Sequence, residues 1–322
     1  MSKNKNYYIV GIGTLILVTI ICYTSPVSIF FTSIRNQSAT PVFLTDDMAL
    51  QAKINNESYK HEIAPINARN DRVWKLVPGL DGLAVDKQET LRKTKEKNSK
   101  DIHWVYKTVK PAIDLKDLGI GPIYRGNEQK KAVALMINVA WGTEYLPEML
   151  KIFQKENIKV TFFLDGTWLN DHRKEGLALE KAGHEIGNHG YTHRMMSQVP
   201  VDRMQREIGR TEEVIKQVFH HSSKWFAPPA GDYNTRVVQI ASDFRLGTVL
   251  WTLDTIDWRK TTSSASMIQK ANTKVEPGNL ILMHPTDRTV KALPGMIRAI
   301  KQKNLALATV SEVLSTKRMN PR

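Results

Sequence analysis

An α/β body built on a largely parallel sheet is predicted for the C-terminal part of the chain, and three observations predict it. Apolar runs of strand length alternate with amphipathic helical stretches from Lys131 to Val310. The runs are continuous, as in strands covered on both faces. Polar and ionisable residues recur where those runs end, and that edge is where parallel α/β folds place ligands and chemistry. The pattern alone allows an open sheet or a closed barrel.

The elements follow in order. KAVALMINV (131–139) is a buried strand, and EYLPEMLKIFQKEN (144–157) carries Leu146, Met149, Leu150 and Phe153 at helical spacing. Strand IKVTFFLDG (158–166), helix LALEKAG (177–183) and short strand HEIGN (184–188) come next. Helix MQREIGRTEEVIKQVF (204–219), strand SKWFAPP (223–229) and helix RVVQIASDF (236–244) continue the alternation. Strand GTVLWTLD (247–254), helix ASMIQKAN (265–272), strand NLILMH (279–284), helix LPGMIRAIKQK (293–303) and strand ALATV (306–310) complete it. About seven strands result.

Ahead of this body the pattern weakens. Residues 61–124 read as a small α/β module: a short helix near Asn70–Leu76, a Pro-Gly turn, an extended piece, a second helix, and a strand in HWVYKTVKP (103–111). Trp74 and Trp104 are aromatic core or a binding surface, and the lysine-rich stretch 87–100 is a solvated helix face. Residues 36–60 are polar and read as a tether. Lys3 and Lys5 precede an uncharged stretch, Tyr7 to Ile34, which is long enough to span a bilayer. Residues 1–35 are therefore expected as a cytoplasmic tip and transmembrane signal anchor, with the bulk of the chain outside the cell membrane, or secreted if the segment is cleaved near Pro26.

Composition excludes several classes. The chain has 322 residues and one cysteine, Cys22, inside the apolar stretch, so a disulfide scaffold, a cysteine zinc site and a cysteine nucleophile are ruled out. The formal net charge of +14 serves solubility, or points to an anionic partner: nucleic acid, an anionic membrane face or an anionic cell wall. No RNA-binding signature or basic zipper is present, so nucleic acid is not expected, and no organic cofactor is implied.

The chemistry-bearing residues cluster at the strand ends. His189 and His193 stand at i and i+4, a spacing that on a helix turns two imidazoles to one ion. Zinc suits that pair best. His284 closes a buried strand and can act as a general acid, with Asp254 or Asp257 as its hydrogen-bond partner. Trp258 offers an apolar wall, and the loop through Pro229 and Ala230 is rigid enough to present a backbone N–H to an oxyanion.

The segments ALMINVAWGTEYLPEMLKIFQKENIKVTFFLDG, HEIGNHGYTH, WFAPPAGDYN, WTLDTIDW and LILMH, in this order and spacing, resemble the NodB-homology domain of polysaccharide deacetylases, carbohydrate esterase family 4. The resemblance covers about Tyr124 to Ser315 and puts the domain at 125–318. It implies a distorted (β/α) barrel and a metal-dependent hydrolase that removes acetyl from the amide of N-acetyl sugars, as in peptidoglycan. By it His189 and His193 hold the metal, His284 is the acid with Asp254 as partner, and Trp258, Pro229 and Ala230 line the substrate groove. The order of anchor, module and deacetylase domain is most similar to a sporulation-associated member of the family.

The sequence also departs from that pattern. The family's Thr-Phe-Asp-Asp-Gly stands here as Met136, Ile137, Asn138, Val139 and Ala140, so Asn138 replaces the general base and Val139 a metal carboxylate. Ala227 replaces an arginine that pairs with the base, and Ala230 a tyrosine. An amide cannot accept a proton near neutrality, and without a charged base the arginine would be a buried cation lacking its partner. A weakened zinc site is expected on two imidazoles. Three readings follow: a hydrolase with a substitute base, a non-catalytic binder of peptidoglycan or another N-acetylated glycan, or a structural protein of the sporulating cell envelope.

Overall fold

The structure is a computed structural model and describes residues 46–99 and 101–319. The expected anchor at residues 1–35 lies outside the described residues. Among the described residues no helix is long and apolar enough to cross a membrane. The chain divides into two compact units, one of residues up to Glu57 with Lys87–His103, the other of Ser58–Asp86 with Trp104 onward.

The small unit contains α1 (Asp46–Glu57) and α2 (Lys87–Glu96). Residues 46–57, expected as the end of a tether, are helical: Asp46 and Asp47 favour the positive helix start, and Ala49, Leu50, Gln51 and Ala52 are good helix formers. In α2, Arg92 donates to Glu89 at 2.8 Å, and the buried Thr94 hydroxyl donates to Thr90 O at 2.7 Å.

The large unit opens with an antiparallel hairpin, β1 (Arg69–Asp71) with β2 (Lys75–Val77), and an antiparallel pair, β3 (Gly82–Val85) with β4 (Tyr106–Val109). The first falls where a short helix is expected. Asp71 Oδ1 accepts the Val73 and Trp74 amides at 2.8 and 2.9 Å, and Lys75 takes φ +57°, so a side-chain turn replaces the helical one.

Eight parallel-paired strands form the main sheet: β5 (Ala132–Val139), β6 (Thr161–Leu164), β7 (Glu185–Asn188), β8 (Trp225–Phe226), β9 (Gly247–Thr248), β10 (Leu253–Asp254), β11 (Leu280–Met283) and β12 (Ala306–Ala308). Their order is β10-β11-β5-β6-β7-β8-β9, with β12 added to β5. The helices α3 (Leu146–Lys155), α4 (Gly166–Asp171), α5 (Arg173–Lys181), α6 (Val201–Phe219), α7 (Thr235–Asp243), α8 (Ser264–Lys274) and α9 (Asp287–Gln302) alternate with them.

The predicted fifth strand is two strands, and they are the two edges of the sheet. Val249 N donates to Phe226 O on β8, whereas Thr252 N donates to Leu280 O on β11. The residues between them cross the gap, so the curled sheet is closed by a single stretch of chain. Ile123 fills that gap, exchanging backbone bonds with Thr248 and Leu250 at 3.0 and 2.8 Å. A boundary at residue 124 therefore does not separate two bodies: residues 58–86 and 104–124 share the barrel's unit.

All eight residues of β5 are buried. Period two splits them between cores. Val133, Leu135, Ile137 and Val139 face the helix layer with Phe153, Phe162 and Leu169. Ala132, Ala134 and Met136 fill the barrel with Phe163, Ala227, Val249 and Leu280. The interior is tight at Gly187, where a Cβ would meet the Phe163 ring at 2.5 Å. Asn138 continues the interior parity and stands at the open end.

Candidate functional site

A groove of about 310 Å³ opens at the C-terminal edge of the sheet. Of the expected residues, Asn138, His189, His193, Ala230, Asp254, Trp258 and His284 line it. Pro229 does not: it is buried behind the wall, its Cγ 3.3 Å from where a Cβ on Gly190 would lie. Ala230 reaches the groove with φ +53°, a left-handed conformation that β-carbon residues rarely hold.

The histidine pair sits on a loop, not on a helix. Asn188 ends β7, with Nδ2 donating to Ile208 O at 3.0 Å and Glu212 Oε1 at 2.9 Å, and Oδ1 accepting Gly190 N at 2.9 Å. Glu207 on α6 then holds the turn: Oε2 accepts the Tyr191 and Thr192 amides at 2.9 and 2.6 Å, and Oε1 accepts the Thr192 hydroxyl at 2.7 Å. This carboxylate is 1% exposed and pairs with Arg203 at 2.7 Å. His193, at φ +52°, can then bring its ring centroid to 5.2 Å from that of His189. His189 Nδ1 donates to Ala227 O at 2.7 Å, which leaves Nε2 with a free lone pair. Burial, then the charge of His193, pushes the His189 pKa down to about 3, so this imidazole stays neutral near neutral pH.

His284 is braced by Asp257, not by Asp254. His284 Nδ1 donates to Asp257 Oδ1 at 2.9 Å, and His284 N to Asp257 Oδ2 at 2.6 Å. The Thr289 hydroxyl donates to Oδ2 as well, at 2.6 Å, and Asp257 is fully buried. Asp254 instead clamps the turn between the two acids. Its Oδ1 accepts Ile256 N at 2.7 Å and its Oδ2 the Trp258 indole at 3.3 Å. Ile256 has φ +60°, which a β-branched residue adopts only when its surroundings compel it. The reversal at Ile256 carries Asp254 away from His284 and Asp257 into it.

Three groove residues escaped the sequence reading. Trp141 stacks on His284 with ring centroids 5.8 Å apart and planes 6° apart. It follows Ala140 and precedes Gly142, whose φ of +79° and close approach to Pro285 O admit no side chain. Trp251 and Leu282 complete the apolar wall. In sequence these are indistinguishable from core residues. Trp141 and Trp258 are nearly half exposed, as platforms for an apolar sugar face would be.

The centre lacks its carboxylates. Asn138 is 3% exposed and its Oδ1 has no hydrogen-bond partner among the described residues. Val139 is fully buried on the helix-facing side. Ala227 is fully buried in the apolar cluster with Phe163 and Val249. Asp165, near His193, caps α4 by accepting Thr167 N and Trp168 N at 2.9 and 3.0 Å, and burial pushes its pKa up. Among the described residues no three His, Cys, Asp or Glu side chains are grouped to hold one metal ion. Two imidazoles and a neutral amide thus do not fit a catalytic zinc with three protein ligands.

A parallel barrel with a carboxylate-braced histidine beside a histidine pair has the frame of a hydrolase, here without its proton acceptor. A family model described as polysaccharide deacetylase matches residues 125–249. The uncharacterized protein YlxY of Bacillus subtilis is 44% identical over 264 residues, 81% of this chain and 82% of that protein. The crystal structure of a CE4 family pseudoenzyme from Bacillus anthracis is 39% identical with a TM-score of 0.79, covering 84% of this chain and 96% of that one. A mutant of that pseudoenzyme is described as having restored enzymatic activity. A peptidoglycan-N-acetylglucosamine deacetylase of Bacillus cereus is 28% identical over 60% of this chain and 72% of the enzyme. The chain belongs to the polysaccharide deacetylase family, carbohydrate esterase family 4, and its centre is degenerate.

Proposed function

We propose that this protein binds the N-acetylated glycan of a cell envelope, peptidoglycan above all, in the groove at the barrel's open end without turning it over. One observation carries the reading. Asn138 stands at the groove floor with an unpartnered amide oxygen, and its neighbour at 139 is a valine in the apolar core. An amide oxygen of this kind accepts a hydrogen bond from a sugar N–H or O–H but cannot take the proton of an attacking water. The relative named a pseudoenzyme and the relative named a peptidoglycan deacetylase support the two halves of the reading.

The test pairs two measurements on one preparation. Calorimetry with N-acetylated peptidoglycan oligomers should show binding, and an acetate-release assay should show no turnover. Trp258→Ala should weaken binding about tenfold, or ~1.4 kcal/mol. Unchanged affinity in that variant removes the groove as the binding site.

A second reading, slow hydrolysis, is favoured by the intact His284–Asp257 pair, which keeps the acid half of the chemistry. Acetate release abolished by His284→Ala would establish it. Zinc on His189 and His193 would have two protein ligands, one short of a catalytic site, so this reading draws no step from it. We place the barrel outside the cell membrane, tethered by the apolar stretch 7–34 in the envelope of a spore-forming cell, because an insoluble envelope glycan is reached there. Protease added to intact cells should digest it.

A further inference from the structure

A second groove, of about 400 Å³, lies on the other side of the Trp251–Asp254 segment. Trp251 and Asp254 line the groove already described, whereas Thr252 and Leu253 line this one. The same stretch of chain is thus a wall of both.

Its other walls are aromatic and cationic. Trp74, from the β1–β2 turn, lies with the Arg125 guanidinium 5.7 Å from its ring centroid. Arg125 is 8% exposed. Its Nη2 donates to Pro277 O at 2.9 Å and its Nε to Gly126 O at 3.3 Å, so its hydrogen-bond acceptors are backbone carbonyls. Among the described residues it forms no direct ion pair, though Asp71 and Glu128 lie close enough to feel its charge, and Nη1 makes no hydrogen bond. Lys270 reaches in from α8 and donates to Asp254 O at 2.8 Å, and Lys274 stands one helical turn further on, exposed. Glu276 is on the rim, so three cations and one carboxylate line the groove itself.

No carboxylate touches the guanidinium directly, so it keeps hydrogen-bonding capacity for an anion in the groove. A planar fork beside an indole suits a carboxylate carried on a sugar ring: Arg125 Nη1 and the lysines take the acid, and Trp74 covers the ring's apolar face. We infer that this second groove is a subsite for carboxylate-bearing sugar residues, such as a lactyl-substituted amino sugar, in a glycan strand that also occupies the first groove. The inference rests on the glycan reading of the first groove and adds a preference for acidic over neutral glycan. It also gives the β1–β2 hairpin, outside the matched family region, a role in recognition.

The test compares two oligomers of equal length by calorimetry at low and high salt. One is a neutral N-acetylglucosamine oligomer, the other a peptidoglycan strand containing N-acetylmuramic acid. The wild-type chain should bind the acidic strand about tenfold more tightly at low salt, and high salt should erase the difference. Lys274→Glu, an exposed change that leaves the fold intact, should erase it too while leaving the neutral oligomer's affinity unchanged. Trp74→Ala should weaken the acidic strand several-fold. Equal affinity for both oligomers in the wild type, or equal weakening of both by Lys274→Glu, overturns the subsite and leaves the first groove standing. Failure of the wild type to bind either oligomer overturns the subsite together with the glycan reading.

Discussion

His284 and Asp257 are joined twice, ring Nδ1 to Oδ1 at 2.9 Å and backbone N to Oδ2 at 2.6 Å. Asp257 accepts the Thr289 hydroxyl too and has no exposed surface. An asparagine here must turn an N–H₂ toward a donor whichever way it is placed. Asp257→Asn should therefore cost about 2–4 kcal/mol in denaturant unfolding. Asp254→Asn keeps an oxygen for Ile256 N and should cost less than ~1 kcal/mol. Equal losses would show that the two acids share the work of holding His284.

Glu207 fixes the loop between the two histidines from a helix whose sequence reads as an ordinary amphipathic surface. Glu207→Gln leaves one oxygen where two accept three hydrogen bonds and an ion pair. The Tyr191 and Thr192 amides should lose at least tenfold in hydrogen-exchange protection, with β5 and β6 amides unchanged. Unaltered protection at both amides would place the restraint elsewhere in the loop.

The barrel was legible because parallel strands covered on both faces leave continuous apolar runs, and β5 is the plainest, with eight buried residues of eight. The edge that carries the site was legible for the same reason: Asn138, His189 and His284 interrupt or end such runs. What sequence hid lies in turns. Which of Asp254 and Asp257 meets His284 depends on Ile256 at φ +60°, and no propensity predicts an isoleucine there. The β1–β2 hairpin depends on Asp71 bonding two amides ahead of it, which reads equally well as a helix start. Trp141 and Trp251 differ from core tryptophans only in what they face.

His184 gives the fold an acid limb that can be measured apart from the groove. It is 6% exposed, edge-on to Phe153 and Phe162, and its Nδ1 accepts Val160 N at 3.2 Å. Burial, then the charge of Lys159, pushes its pKa down to about 4, against about 6.5 in the unfolded chain. The folded state keeps this imidazole neutral while the unfolded state takes up a proton below about 6.5, so the unfolded state binds more protons. Its contribution is fully present above about pH 6.5 and is lost as pH falls toward about 4. The expected slope is ~1.4 kcal/mol per pH unit for this one group. His184→Asn, which still offers an acceptor to Val160 N, should flatten the limb by that amount in urea unfolding between pH 4.5 and 6.5. An unchanged slope assigns the acid sensitivity to other groups.

Asn138 and Val139 test whether the rest of the centre is intact. Asn138→Asp alone supplies a proton acceptor at the groove floor, but the ion site still has two imidazoles, so zinc should raise the melting temperature by no more than in the wild type. Val139→Asp alone puts a carboxylate into the helix-facing core, and about 2–4 kcal/mol of stability should be lost. The double variant is the informative one. Without zinc it should be at least as unstable as Val139→Asp. With zinc at a hundred times its dissociation constant, about 2.7 kcal/mol returns, because the ion binds only the folded state. Acetate release should appear in that zinc-loaded double variant, which has both a proton acceptor and a third ligand. Recovery of stability by zinc without acetate release would mean that the ion site can be rebuilt while the missing arginine, at the buried Ala227, still withholds the chemistry. No recovery of stability would mean that strand β5 holds position 139 on its outer face too firmly for any side chain there to reach the histidines.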